Sequence, residues 1–494
     1  MVLRLLAAAA LLASTPAFAQ PVTPEALRRH IDVLASDAYE GREPGTEGER
    51  KTIAYISREL GALGFEPAGP EGSWYQPVEL KLRKAGEQKS LFQGRKKKQR
   101  LELDRDGLIL LSRDEKESLK GAPVVFVGYG APDAVKGTDL KGAVALLLFD
   151  APKEAGVPAF DERVRGLTER GAAAVVSILP KETPWPAIQR SLERGQERLA
   201  IRPMPPVQGV MSPAAAEQLL SAARAEPATL LAAAARPGFV PVPLKLKANL
   251  DVATEIVTTV TSNVVGRLKG TGGSGEAIML LGHWDHLGIC RPEGEADRIC
   301  NGAVDNASGI AVMLETAKAL AKGPRPKRDI LVLATTAEEK GLLGASYFAA
   351  RPVVPLEKIL AAVNVDTVAI APKGEKVAVI GRGVPALDAA IERTATELGR
   401  VIDSDAEADS FVTRQDGWAL QRAGIPAVMV GGSFSNMKRL QDFLGGPYHG
   451  PTDNPVPTMI LGGAAEDADL TVALLRRLAD PAEFAPPARE PRPQ

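Results

Sequence analysis

Histidine and cysteine are scarce, and charge is balanced. The 494-residue chain has 4 His and 2 Cys, and Lys+Arg 60 against Asp+Glu 61 leaves a formal net charge of -1. Without an excess of one sign there is no global field to favour nucleic acid, so a nucleic-acid partner is not expected. With only Cys290 and Cys300, a thiolate metal site would need more ligands than their loop supplies. A long apolar run is missing from the N-terminus. The stretch Leu5 to Ala13 is too short for a membrane anchor, so no stable membrane insertion is expected there.

What the N-terminus does contain is MVLRLLAAAALLASTPAFAQ: Arg4, the short apolar stretch, then Ala17-Phe18-Ala19 as a small-x-small cleavage site. This pattern predicts a secretory signal peptide over residues 1–19, removed after Ala19, and hence a periplasmic or secreted protein. No cysteine follows the cleavage site, which argues against a lipid anchor. In such a compartment Cys290 and Cys300 are most simply a disulfide. That bridge would pin the loop between His283 and Asp305.

The chain is long enough for two cores. TPEALRRHIDVLA (Thr23 to Ala35) reads as an amphipathic helix, with Thr23 as cap and Leu27, Ile31 and Leu34 on one face. A second helix spans Gly48 to Leu63 and stops at Gly64. Short alternating runs from Gln76 to Leu110 suggest strands. The basic cluster Arg95-Lys96-Lys97-Lys98 among them, with Glu102, Asp104 and Asp106 close behind, reads as a solvated hairpin tip. From Gly121 strands alternate with helices, and an Ala- and Pro-rich region runs to about Pro243, so an inserted domain is expected over 119–245. The expected division is 20–118 and 246–480 for the main domain, with a Pro-rich, disordered tail over 481–494.

In the main domain NVVGRL, AIMLLG, DILVLAT, LAAVNVD, KVAVIG and IPAVMVG are continuous apolar runs, as in strands buried on both faces. Helices intervene at Ser308 to Ala321, Pro385 to Leu398 and Ala465 to Leu478. The prediction is an α/β fold: a mostly parallel central sheet with helices on both faces, whose ligand site lies at the carboxyl ends of the strands.

Groups suited to binding a metal recur at those ends. AIMLLG delivers His283, Asp285 and His286; GAVDNASG holds Asp305; DILVLAT is followed by Glu338 and Glu339; LAAVNVD ends in Asp366; a Gly-rich loop holds Tyr448 and His449. Imidazole and carboxylate at strand ends are typical ligands for first-row metals. An acid can merely cap a helix, as Glu338 and Glu339 could before residues 341–349. Asp366 is harder to explain that way, because an ionisable group in an apolar run needs a partner or a metal. Five such placements in one domain argue against capping alone.

The motifs HWDHLG, GAVDNASG, AEEKGLLGAS, NVDTVA and YHGPTD, in this order, resemble the di-zinc exopeptidase family that includes bacterial aminopeptidases and glutamate carboxypeptidases. The loop LASDAYEGREPGTEGE also resembles that family, and the insert is similar to its protease-associated domain. The resemblance implies two zinc ions per chain. His283 and Asp366 would bind one, Glu339 and His449 the other, and Asp305 would bridge them. It makes Glu338 the general base and Asp285 the carboxylate that orients His283, with His286 a neighbour. TRQDGWALQRAGIPAV departs from the family pattern, with Gln415 in place of Ser and Trp418 nearby, which bears on the pocket rim. The implied activity is that of an aminopeptidase acting on peptide substrates, with the insert limiting access to the site. Two alternatives stand beside it: a carboxypeptidase or dipeptidase on the same site, and a non-catalytic binding protein of the same fold.

Overall fold

The structure, a computed structural model, describes residues 20–95, 99–151, 157–236 and 238–486. The expected signal peptide (1–19), Lys96 to Lys98 of the basic cluster and the last eight residues of the expected tail lie outside the described residues. Two compact units are present, one formed by the chain up to Val78 and from Val260 onward, the other by Glu79–Thr259.

In the first unit four parallel strands form the centre of a sheet, in the order Ala427–Gly431, Ile359–Asn364, Ala277–His283, Asp329–Thr335. Antiparallel strands flank them: Ala378–Ile380 beside the first, and residues 264–268 of the long strand Val242–Leu268 beside the last. Every residue of Ala277–His283, Asp329–Thr335 and Ile359–Asn364 is buried, as their unbroken apolar runs require. The helices Pro24–Leu34, Glu47–Ala62, Gly309–Lys322 and Gly462–Leu478 contribute to one core, in which Leu27, Ile31, Ile56, Leu314 and Leu475 meet Ile278, Leu280 and Val332 of the sheet. Met279, Leu281 and Leu331 point to the other face, where they meet Phe348 and Leu420. The layered α/β architecture predicted from periodicity is therefore present.

Local chemistry sets the helix ends. Thr23 caps Pro24–Leu34 by accepting from the Ala26 amide, with proline at the first turn, and Thr46 accepts from the Glu49 amide at the start of Glu47–Ala62. His30, the histidine left without a ligand-like context, is buried and joins helices. Its Nδ1 is 2.7 Å from the Tyr55 hydroxyl and its Nε2 3.2 Å from Glu315 Oε1.

The second unit has its own parallel strands, Lys116–Phe126, Val144–Leu148, Ala174–Ile178 and Val207–Met211. It is longer than the insert expected over 119–245. Leu80 to Arg83 pair with residues 196–199, Leu108–Ser112 with Val207–Met211, and residues 247–253 with 116–123. Residues 79–118 and 246–259 thus belong with it, because alternation reveals a strand but not which core the strand completes. Residues 481–486 of the expected tail are described, and Phe484 among them joins the core of the first unit. Phe484 is 2 % exposed, and its carbonyl accepts a hydrogen bond from Arg328. No helix among the described residues is long and apolar enough to cross a membrane.

Candidate metal centre

The site lies at the carboxyl ends of the parallel strands. His283 closes its strand, and pairing continues one residue further as the Trp284 amide donates to the Thr335 carbonyl at 2.9 Å. After Thr335 the chain turns at Ala337, whose φ of 52° lies in the left-handed region, and presents Glu338 and Glu339. A second such residue, Thr367 (φ 52°), follows Asp366. Non-glycine residues held in this region cluster where a site imposes its geometry. Asp305 sits in the tight turn Ala303–Ser308 that leads into Gly309–Lys322, and the Asp305–Asn306 peptide bond is cis. Gly302, at φ 57°, precedes that turn, and a Cβ on it would meet the Asp305 carbonyl at 2.1 Å and the His286 ring at 2.6 Å.

Three side chains tie these loops together. Asn306 donates to the His283 and Val365 carbonyls and accepts from the Gly309 and Thr367 amides, so one amide group spans three elements. Asp453, in the YHGPTD motif, accepts from the Val304 and Asp305 amides at 2.9 and 3.1 Å. Arg42, from the EGREPG loop, is buried and donates to the Leu34, Trp284, Asn301 and Gly302 carbonyls. Burial lowers its pKa to about 10 against the pull of Asp453 and Asp305, so at neutral pH it remains a cation beneath a cluster of acids.

The five candidates converge in two groups that share one carboxylate. His283 Nε2 lies 3.2 Å from Asp305 Oδ1 and 3.5 Å from Asp366 Oδ1. His449 Nε2 lies 2.9 Å from Glu339 Oε2 and 3.4 Å from Asp305 Oδ2. Asp305 thus turns one oxygen toward each group. Ligand atoms about 2.1 Å from a tetrahedral ion stand roughly 3.4 Å apart, the spacing found here. The His283 ring is fixed as well. Its Nδ1 is 3.2 Å from the Asp285 carbonyl, while its Nε2 is buried and has no hydrogen-bond partner. A buried nitrogen left open among carboxylate oxygens fits a metal ligand, and the residues present therefore fit a pair of cations.

Asp285 works differently from the expectation. Its Oδ1 is 3.8 Å from His283 Nδ1, beyond hydrogen-bond reach, because its two oxygens instead accept from the Glu338 and Glu339 amides at 3.1 and 3.4 Å. It reaches His283 only through its main-chain carbonyl. His286, expected as a neighbour, contacts a candidate ligand: Nδ1 is 2.6 Å from Glu339 Oε1.

Electrostatics separate the acids. Burial raises the Glu338 carboxyl well above the usual range, with Asp416, Asp366 and Glu339 adding to the rise against His283. Burial likewise takes Asp285 up to about 7 and Asp416 to about 6. Asp305 is held well below its ordinary value, since contacts from His283 and His449 outweigh burial. Burial acts to lower His449, but Asp305 and Glu339 raise it to about 9.

Glu338, Asp305 and Asp366 face a pocket whose other walls include Phe411, Met429, Phe434, Leu440 and Tyr448. Tyr448 stacks on His449 with ring centroids 3.6 Å apart. Gln415, the departure from the family pattern, lines this pocket together with Arg414. Its neighbour Asp416 reaches deeper than the rim. It is buried, accepts a short hydrogen bond from Thr335 Oγ1 and leaves Oδ1 without a partner. Asp416, Asn306, Asp453 and Arg42 also serve the site, without a ligand-like context in the sequence. All four lie inside stretches already singled out, Asp416 in TRQDGWALQRAGIPAV, Asn306 in GAVDNASG, Asp453 in YHGPTD and Arg42 in LASDAYEGREPGTEGE.

Residues 263–459 match the sequence model of Peptidase family M28. The chain is 32% identical over 184 residues to a probable lipoprotein aminopeptidase, LpqL, of Mycobacterium tuberculosis, covering 35% of this chain and 34% of that protein. It is 37% identical over 101 residues to a probable zinc metalloprotease of Pyrenophora tritici-repentis, 20% of each. These matches span between a fifth and about a third of those curated relatives. Among solved structures, an aminopeptidase from Aneurinibacillus sp. strain AM-1 is similar in fold, with a TM-score of 0.53 at 18% identity over 97% of this chain and 99% of that one. All five candidate ligands and Glu338 fall inside the segment that matches peptidase family M28.

Proposed function

We propose that the chain is an exported di-zinc aminopeptidase, and the observation that carries this reading is the division of Asp305 between two imidazole–carboxylate groups beside Glu338. His283 and Asp366 would hold one ion, Glu339 and His449 the other, and Asp305 both. Zinc bound there supplies an acidified water and a polarised carbonyl.

The chain's own side chains do the rest. Glu338 takes the proton from the attacking water and passes it to the departing amine. Burial raises its pKa, which favours the protonated form, and the positive charge of ions held by the neighbouring residues would act in the opposite direction. Asp285 fixes the main chain of Glu338 and Glu339 through their amides, so base and ligand move as one piece. Tyr448, whose phenol is pushed up by burial and by Asp305 and Glu339, keeps its proton and can donate it in a hydrogen bond to the substrate's carbonyl oxygen. The Cys290–Cys300 disulfide suits an oxidising compartment, which supports export and the signal-peptide reading. Unit Glu79–Thr259 is read as the protease-associated insert.

The test is Glu338→Gln. It should reduce kcat on a short peptide by about a thousandfold with two zinc ions retained per chain. Near-normal turnover in that variant contradicts the assignment.

A further inference from the structure

A cation lines the pocket of the candidate centre. Arg414 lines the pocket that holds Asp305, Glu338 and Asp366. Its guanidinium carbon lies 5.3 Å from the centroid of the Phe411 ring, and no carboxylate among the described residues pairs with it. Arg414 is exposed, whereas Met429 and Leu440, which line the same pocket, are buried and apolar. An arginine held against a ring keeps its hydrogen-bonding edges free, and those edges match a carboxylate.

Position decides which carboxylate. A side-chain carboxylate carried into the pocket would lose its water among Met429, Phe434 and Leu440 without meeting a cation. An α-carboxylate is different. It branches from the same carbon as the side chain, so a residue that buries an apolar side chain in the pocket leaves its α-carboxylate at the mouth, where Arg414 is. We infer that Arg414 binds the terminal α-carboxylate of the substrate and so selects short peptides, dipeptides above all, that end in an apolar residue. This rests on the peptidase reading of the site and narrows its substrate class. In a dipeptide the bond presented to Glu338 is then the one that frees both residues.

The test separates binding from turnover. Affinities of alanyl-leucine and alanyl-leucinamide are measured by calorimetry on zinc-loaded Glu338→Gln protein, with Arg414 intact and with Arg414→Met, which keeps the stem against Phe411. The free acid should bind about tenfold tighter than the amide, as expected for a charge-assisted contact. Arg414→Met should erase that advantage and change amide binding by less than about twofold, and Arg414→Lys should restore part of it. Equal affinity for acid and amide with Arg414 intact, equal losses for both, or no binding of either overturns the inference. So does tighter, Arg414-dependent binding of glutamyl-alaninamide, which would assign the cation to an acidic side chain. Hydrolysis of alanyl-leucine by the wild-type chain is scored separately. If the acid advantage holds and no cleavage occurs, the peptidase reading fails while the role of Arg414 stands.

Discussion

At the scale of single residues, the site depends on groups that never face the substrate. Asp453 satisfies two amides of the turn that aims Asp305. Asp453→Ala leaves both unpaired in a buried place, and should cost about 1–3 kcal/mol of stability and weaken zinc binding roughly 10–100-fold. Thermal unfolding and chelator competition read these two effects. A second expectation concerns protons. Without metal, His449 sits at about 9, because Asp305 and Glu339 outweigh burial, so it keeps a proton at pH 7.5 that a metal must displace. Zinc titration should therefore release protons, and affinity should fall as pH falls. Calorimetry in buffers of different ionisation enthalpy counts them, and no release at pH 7.5 contradicts the described coupling. The candidate ligands were legible because each follows an apolar run or sits in a Gly-rich loop. The work of Asp285 and Asp453 was not, since their partners are main-chain amides that pattern cannot display.

At the scale of elements, three helices meet through one buried carboxylate. Glu315 of Gly309–Lys322 contacts His30 of Pro24–Leu34 and Lys318, and His30 reaches Tyr55 of Glu47–Ala62. Burial acts to raise the Glu315 pKa, but its contacts with His30 and Lys318 hold it at about 2. A carboxyl depressed in the folded state adds stability above its unfolded pKa of about 4.5 and loses it as pH falls toward 2. Glu315→Gln should cost about 1–3 kcal/mol near pH 6 and flatten the loss of stability between pH 4.5 and 2. Urea unfolding across that range checks both, and an unchanged acid limb refutes the network's role. The helices themselves were readable, because Thr23 and the spacing of Leu27, Ile31 and Leu34 specify Pro24–Leu34 almost to the residue. That His30 serves packing and not the metal centre needed the fold, which brings residues 30, 55 and 315 together.

At the scale of the whole molecule, two units with separate cores carry different duties. Every candidate ligand lies in the unit formed by the chain ends. Chelation should lower the unfolding temperature of that unit, while a transition belonging to residues 79–259 should stay where it was. Scanning calorimetry with and without zinc distinguishes this from a single shifted transition. The parallel sheet was legible from its runs of Val, Ile, Leu and Ala. The unit boundary was not, since strands such as Leu108–Ser112 gain their identity only from distant partners near residue 209.

The central claim is that this metal centre removes residues from a free N-terminus. It is tested most directly by incubating the wild-type chain, with metal quantified on the same sample, with one short peptide in free and N-acetylated form. The account predicts two zinc ions per chain and cleavage of the free form only. Cleavage of the blocked form at a comparable rate, or two ions per chain with neither form cleaved, contradicts it.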